Sequence, residues 1–135
     1  MAPVPMQEPL SPAVERVIAC AKDDPGVLAV MLFGSRVRGE AGPESDFDVC
    51  LVLSAKPDSE VALARKRLDY LEKADVDLAV FQQLPLHIRS RVLKEGAVLF
   101  VRDEDALYEL AIRTAKAWEH FRHIHRMYLD AVARG

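Results

Sequence analysis

Four short apolar runs limit what this chain can fold into: Val27 to Phe33, Phe47 to Leu53, Val76 to Phe81 and Ala97 to Val101. Each has the length of a buried strand, and none approaches a membrane span. The segments around them repeat with a helical period instead. Ser11-Pro12 supplies a serine N-cap and a first-turn proline. Val14, Val17, Ile18 and Ala21 follow at helical spacing, and Asp24-Pro25-Gly26 ends the segment. Pro57-Asp58-Ser59 opens a second helix carrying Val61, Leu63, Leu68 and Leu71. Leu84-Pro85 leads into a short helix from Leu86 to Lys94, closed by Glu95-Gly96. From Asp103 to about Val132 one long helix is predicted. Its apolar positions Leu107, Leu110, Thr114, Ala117, Phe121, Ile124 and Tyr128 step by three or four along one face.

The order is helix, strand, strand, helix, strand, helix, strand, helix. That pattern predicts an α/β (α+β) fold: a mixed sheet of four strands, helices packed on it, and a long C-terminal helix. With 135 residues, half of them apolar and 29% charged, the chain suits one folded domain. We expect that domain over residues 11–135, after a loose tail over residues 1–10 that carries prolines and no signal-peptide pattern. Cys20 and Cys50 sit inside apolar runs and read as buried free thiols. These features predict a cytoplasmic protein without a membrane segment. A formal net charge of −3 argues against a general nucleic-acid coat protein.

The chemistry concentrates in LFGSRVRGEAGPESDFDVCLVL, residues 32 to 53. Gly34-Ser35 follows the first strand. Glycine allows close backbone approach, a following helical turn offers N–H groups to an anion, and Ser35 adds a hydroxyl. A simple strand-to-helix turn would look the same. Asp46 and Asp48 carry more weight. Two apart on a strand, they share a face about 6.6 Å apart. Strand-entry turn chemistry explains one aspartate; it explains Asp48 poorly, because a buried run follows it. A divalent cation resolves the repulsion, and hard oxygen ligands suit Mg²⁺ held together with substrate phosphates. Two such ions about 3.5–4 Å apart can clamp a phosphoryl-transfer reaction. A third acid opens the third strand. Asp77 is the nearer to the buried run; Asp75, two residues earlier, is its rival.

Gly34-Ser35, ten residues, then Asp46-Phe47-Asp48 resembles the signature of the DNA polymerase β nucleotidyltransferase superfamily. The string from Gly34 to Leu53 is similar to its minimal nucleotidyltransferase (MNT) branch, and the similarity runs on through VDLAVF and VLKEGAVLF. The resemblance implies that Gly34 and Ser35 hold the triphosphate of ATP, that Asp46 and Asp48 ligate two Mg²⁺ ions, and that Asp77 completes the catalytic-metal site. Arg36 and Arg38, flanking the cradle, are expected to neutralise phosphate. The MNT branch commonly pairs with a HEPN-domain ribonuclease as a toxin–antitoxin system. The resemblance therefore implies an antitoxin that transfers AMP to a tyrosine hydroxyl of its HEPN partner. The alternatives are a small-molecule nucleotidyltransferase of the aminoglycoside-modifying kind, and an antitoxin that acts by binding alone.

Overall fold

The computed structural model describes residues 12–33, 48–55, 59–73 and 77–134. Helix α1 (Pro12–Lys22) leads into strand β1 (Val27–Phe33), followed by β2 (Asp48–Leu53), α2 (Glu60–Lys73) and β3 (Asp77–Val80). A 3₁₀ turn, Phe81–Gln83, precedes α3 (Leu86–Glu95), β4 (Ala97–Val101) and α4 (Glu104–Arg134). The expected element order and the mixed four-stranded sheet are both present. Ser59 opens α2 as foreseen, its hydroxyl accepting from the Ala62 N–H at 3.1 Å.

The strands lie in the order β3-β2-β1-β4. β1 runs antiparallel to both neighbours, whereas β2 and β3 are parallel. Parallel neighbours need a crossover, and α2 supplies it. β1 is central, and six of its seven residues are buried. Its two faces build two cores. Val30 and Leu32 join Val49, Leu51, Leu78 and Val80 beneath α1 and α2. Ala29 and Met31 join Cys50, Val52, Val92 and Leu107 beneath α3 and α4. A register shift between Val27 and Ala29 puts both Leu28 and Ala29 in this second core.

The third strand is shorter than its apolar run suggested. Val76 lies outside the described residues, and Phe81 leaves the strand to begin the 3₁₀ turn, where the Leu84 N–H donates to its carbonyl at 3.1 Å. Phe81 is 1% exposed, so its hydrophobicity reports burial rather than strand conformation. The turn lets Gln82 extend the sheet with its side chain. The Leu53 N–H donates to Gln82 Oε1 at 3.1 Å, and Gln82 Nε2 donates to the Leu53 carbonyl at 3.0 Å. One amide thus pairs with both backbone groups at the end of β2.

Two charged residues tie the helices to the sheet. Arg102, just after β4, donates to the carbonyls of Ala21 (2.6 Å), Lys22 (3.1 Å) and Asp24 (3.1 Å) through its NH2 nitrogen, and to Val27 (3.0 Å) through Nε. A cation at this place satisfies orphan carbonyls at the C-terminus of α1 and complements its dipole. Asp24 accepts from Lys66 Nζ (2.9 Å), Tyr70 Oη (3.0 Å) and the Gly26 N–H (3.0 Å). It fastens α2 to the α1–β1 turn.

The long final helix is present with its apolar face, but that face is buried only in its first half. Leu107 and Thr114 are buried, but every residue from Glu119 to Arg134 is exposed.

Candidate active site

One edge of the sheet gathers the ends that the sequence singled out. Phe33, the last residue of β1, has Asp48 as its Cα partner, and Asp48 is the first residue of β2. On its other side Asp48 is the Cα partner of Asp77, the first residue of β3. Leu32 pairs with Ala97, the first residue of β4. The C-terminal end of β1 and the N-terminal ends of the other three strands therefore share this edge. Position 34 follows directly from it.

Asp48 and Asp77 stand beside each other because β2 and β3 are parallel and start in step. Neighbouring strands lie about 4.8 Å apart. The interior begins immediately behind Asp48 and Asp77, with Val49, Cys50 and Leu51 fully buried and Leu78 1% exposed. Like charges directly opposite on neighbouring strands destabilise a sheet. Two acidic positions in this register at the rim of an apolar core are candidates for holding a hard divalent cation. Asp46, Gly34, Ser35, Arg36 and Arg38 lie outside the described residues, as does Asp75.

Other candidate side chains are weaker. Burial pushes the Cys50 thiol up to about 12. It stays protonated near neutral pH, unfit as a nucleophile or a metal ligand. His120, His123 and His125 are exposed along α4; the His125 ring stacks on Phe121, with centroids 5.8 Å apart.

A cavity of about 1350 Å³ lies elsewhere, lined by Leu53, Ser54, Gln82, Arg89 and Arg113 among others. It adjoins the C-terminal end of β2, about 17 Å along the strand from Asp48. No motif in the sequence foretold it: Arg89 and Arg113 come from two different helices, and only the packing of α3 and α4 brings both to one hollow.

Comparison with known proteins gives consistent results. The family model described as Polymerase beta, Nucleotidyltransferase matches residues 15–105. The Methanocaldococcus jannaschii protein named Putative protein adenylyltransferase MJ1547 is 30% identical over 92 residues, covering 68% of this chain and 70% of the relative. A chain in the crystal structure of a toxin–antitoxin with AMP-PNP matches with a TM-score of 0.62 at 24% identity, over 87% of this chain and 96% of that one. A chain in the complex of a tri-AMPylated Shewanella oneidensis HEPN toxin with an MNT antitoxin matches with a TM-score of 0.55 at 22% identity, over 88% and 92%. These two structural likenesses are likenesses of fold.

Proposed function

This chain belongs to the Polymerase beta, Nucleotidyltransferase family and is a nucleotidyltransferase, and from that premise we propose that it transfers AMP from ATP to a tyrosine hydroxyl of a cognate HEPN ribonuclease toxin, as the antitoxin of the pair. The observation that carries the reading is the pairing of Asp48 with Asp77 at the edge where β1 ends before Gly34-Ser35. A relative named as a protein adenylyltransferase and a fold neighbour seen with AMP-PNP, an ATP analogue, support the donor and the reaction class. The neighbour that contains an AMPylated HEPN toxin supports the acceptor.

Gly34 and Ser35 present backbone N–H groups and a hydroxyl to the triphosphate, assisted by Arg36 and Arg38. Asp46, Asp48 and Asp77 would hold Mg²⁺, which would offset charge on the phosphates and on the attacking and leaving oxygens. Asp77 also accepts the proton of the incoming hydroxyl. The hydroxyl oxygen forms a bond to the α-phosphorus, the bond from that phosphorus to the bridging oxygen breaks, and pyrophosphate leaves. Holding donor and acceptor in line provides much of the rate, since a positioned reaction avoids the entropic cost of encounter.

The test is direct. The chain is incubated with Mg²⁺, ATP labelled at the α-phosphate, and the HEPN-domain protein encoded beside its gene. Label is expected on a tyrosine of that protein. A folded chain that leaves the HEPN protein unlabelled sinks the proposal. Full neutralisation of the toxin by an Asp46→Asn, Asp48→Asn double variant would point instead to an antitoxin that acts by binding alone.

A further inference from the structure

Helix α4 is 31 residues long, but only its first half meets the rest of the protein closely. Leu107 and Thr114 bury, and Leu110 and Ala111 are half-buried. The apolar period then continues into a segment that packs on no other element among the described residues. Phe121, Ile124, Tyr128 and Val132 are 49%, 51%, 63% and 61% exposed. At about 100° per residue these four side chains fall within roughly 80° of the helix circumference. A solvated helix gains nothing from such a seam, and contiguous exposed apolar surface marks interaction sites.

The seam starts from a fixed point. The Trp118 ring lies 6.4 Å from His87 of α3, and Phe121 stacks on Trp118 at 5.6 Å and 17°. His125 stacks in turn on Phe121, at 5.8 Å and 8°. A run of rings thus leads from the body of the protein onto the outer helix.

The charges say what kind of surface covers it. Residues 118 to 135 contain three arginines against two acids, Glu119 and Asp130. Measured around the helix from the middle of the seam, His125 and His120 lie at about 60° and 80°, and Arg122 and Arg134 flank it at about 120° on either side, while Arg126 and Asp130 fall at about 160° and Glu119 at about 180°, on the back. Arg122 reaches back to Glu119 at 3.0 Å. Arg126 and Arg134 have no ion pair among the described residues. In a homodimer through this face, the basic borders of the two copies would meet each other, and like charges at the flanks disfavour pairing.

We infer that the outer half of α4 is a docking surface for an amphipathic helix of a different protein, one whose apolar face is bordered by Asp and Glu. The segment from Glu119 to Arg134 is about 24 Å long at 1.5 Å per residue. That is long enough to offer anchors at i, i+3 and i+7 in the helix-in-groove manner. The inference rests on the proposed function in one respect: the partner is the HEPN protein that accepts AMP.

The test uses the full chain with Phe121→Asp, Ile124→Asp and Tyr128→Asp together, and separately with Arg122→Glu. Binding to the neighbouring HEPN-domain protein is measured by calorimetry, label transfer from ATP is followed in parallel, and each chain alone is sized by sedimentation. The triple variant is expected to keep its helical circular dichroism and to lose at least about 10²-fold in affinity, since buried aromatic and apolar anchors dominate interfaces. Arg122→Glu is expected to weaken binding several-fold and to flatten its salt dependence. If the triple variant binds like the parent while the parent transfers label, the surface is wrong and the function stands. If the parent binds through this surface without transferring label, the function is wrong and the surface stands. A parent that is a dimer alone and a variant that is a monomer would assign the face to self-association. A parent that does not bind the HEPN protein overturns the inference outright.

Discussion

Asp48 and Asp77 are Cα partners in the parallel ladder between β2 and β3, so two acids far apart in sequence open adjacent strands at the same edge. Paired acids of this kind cost stability without a counterion and carry function when one is present. Asp48→Asn and Asp77→Asn are each expected to lower the AMP-transfer rate by about 10² or more, the scale on which a single electrostatic contributor acts. Asp75→Asn is expected to cost far less. Without divalent cations, the Asp48 and Asp77 variants should melt no lower than the parent. A larger loss of activity from Asp75→Asn than from Asp77→Asn would move the third carboxylate to position 75.

Arg102 holds four carbonyls with one planar guanidinium. Lysine keeps the charge but not the fork. Arg102→Lys is therefore expected to destabilise the protein by about 1–2 kcal/mol, because several charge-assisted hydrogen bonds are lost while the carbonyls remain. Thermal melting should show a drop of several degrees, larger again for Arg102→Ala. Equal melting of the lysine variant and the parent would mean that water serves those carbonyls as well.

Gly96 joins α3 to β4 with ordinary torsions, φ −75° and ψ 160°. Its constraint is space. A Cβ there would sit 2.5 Å from the Val92 carbonyl oxygen and 3.3 Å from that of Leu32. The first is a backbone atom that also accepts the Gly96 N–H at 2.8 Å, so it cannot swing aside. Gly96→Ala is expected to cost about 1–3 kcal/mol, the usual range for overpacking. Denaturant unfolding checks this, and an alanine variant as stable as the parent would show that the α3–β4 junction shifts easily.

What could be read from the sequence follows from what kind of information each feature carries. β1 and β4 were bounded correctly because buried strands are apolar throughout and end at Gly, Pro or charge. The resemblance put Asp48 and Asp77 in one site, but their register was not visible: period two describes one strand, while register between strands is settled by the packing of α2 and the two cores. Phe81 was misread because hydrophobicity marks burial before it marks conformation. The stripe on α4 was read correctly as a face, but periodicity does not say what covers a face, and its outer half packs on no other element among the described residues. Asp24 showed only as part of the turn that ends α1, and Arg102 gave no signal. Their side-chain and helix-end partners lie 42 to 81 residues away, and in the sequence both look like surface loop charges.

Asp24 gives the fold a predictable dependence on pH. Burial raises its pKa, but hydrogen bonds from Lys66, the Gly26 N–H and Tyr70, together with the charge of Lys66, outweigh that effect. The folded carboxyl lies below its ordinary 3.8. Burial, followed by Asp24 itself, pushes the Tyr70 phenol upward, so Tyr70 remains the donor near neutral pH. A carboxylate depressed in the folded state stabilises it at pH values above the unfolded pKa, and that contribution is lost as pH falls through the folded value. Asp24→Asn removes the charge while keeping the shape. It is expected to destabilise the protein at pH 7 by about 1–2 kcal/mol, a partly buried ion pair with charged hydrogen bonds being worth roughly that much. The difference from the parent should hold down to about pH 5 and shrink below pH 4. Urea unfolding of both proteins at pH 7 and pH 3 measures it. A difference that does not change between the two would mean that the carboxylate's charge is not what fastens α2 to the α1–β1 turn.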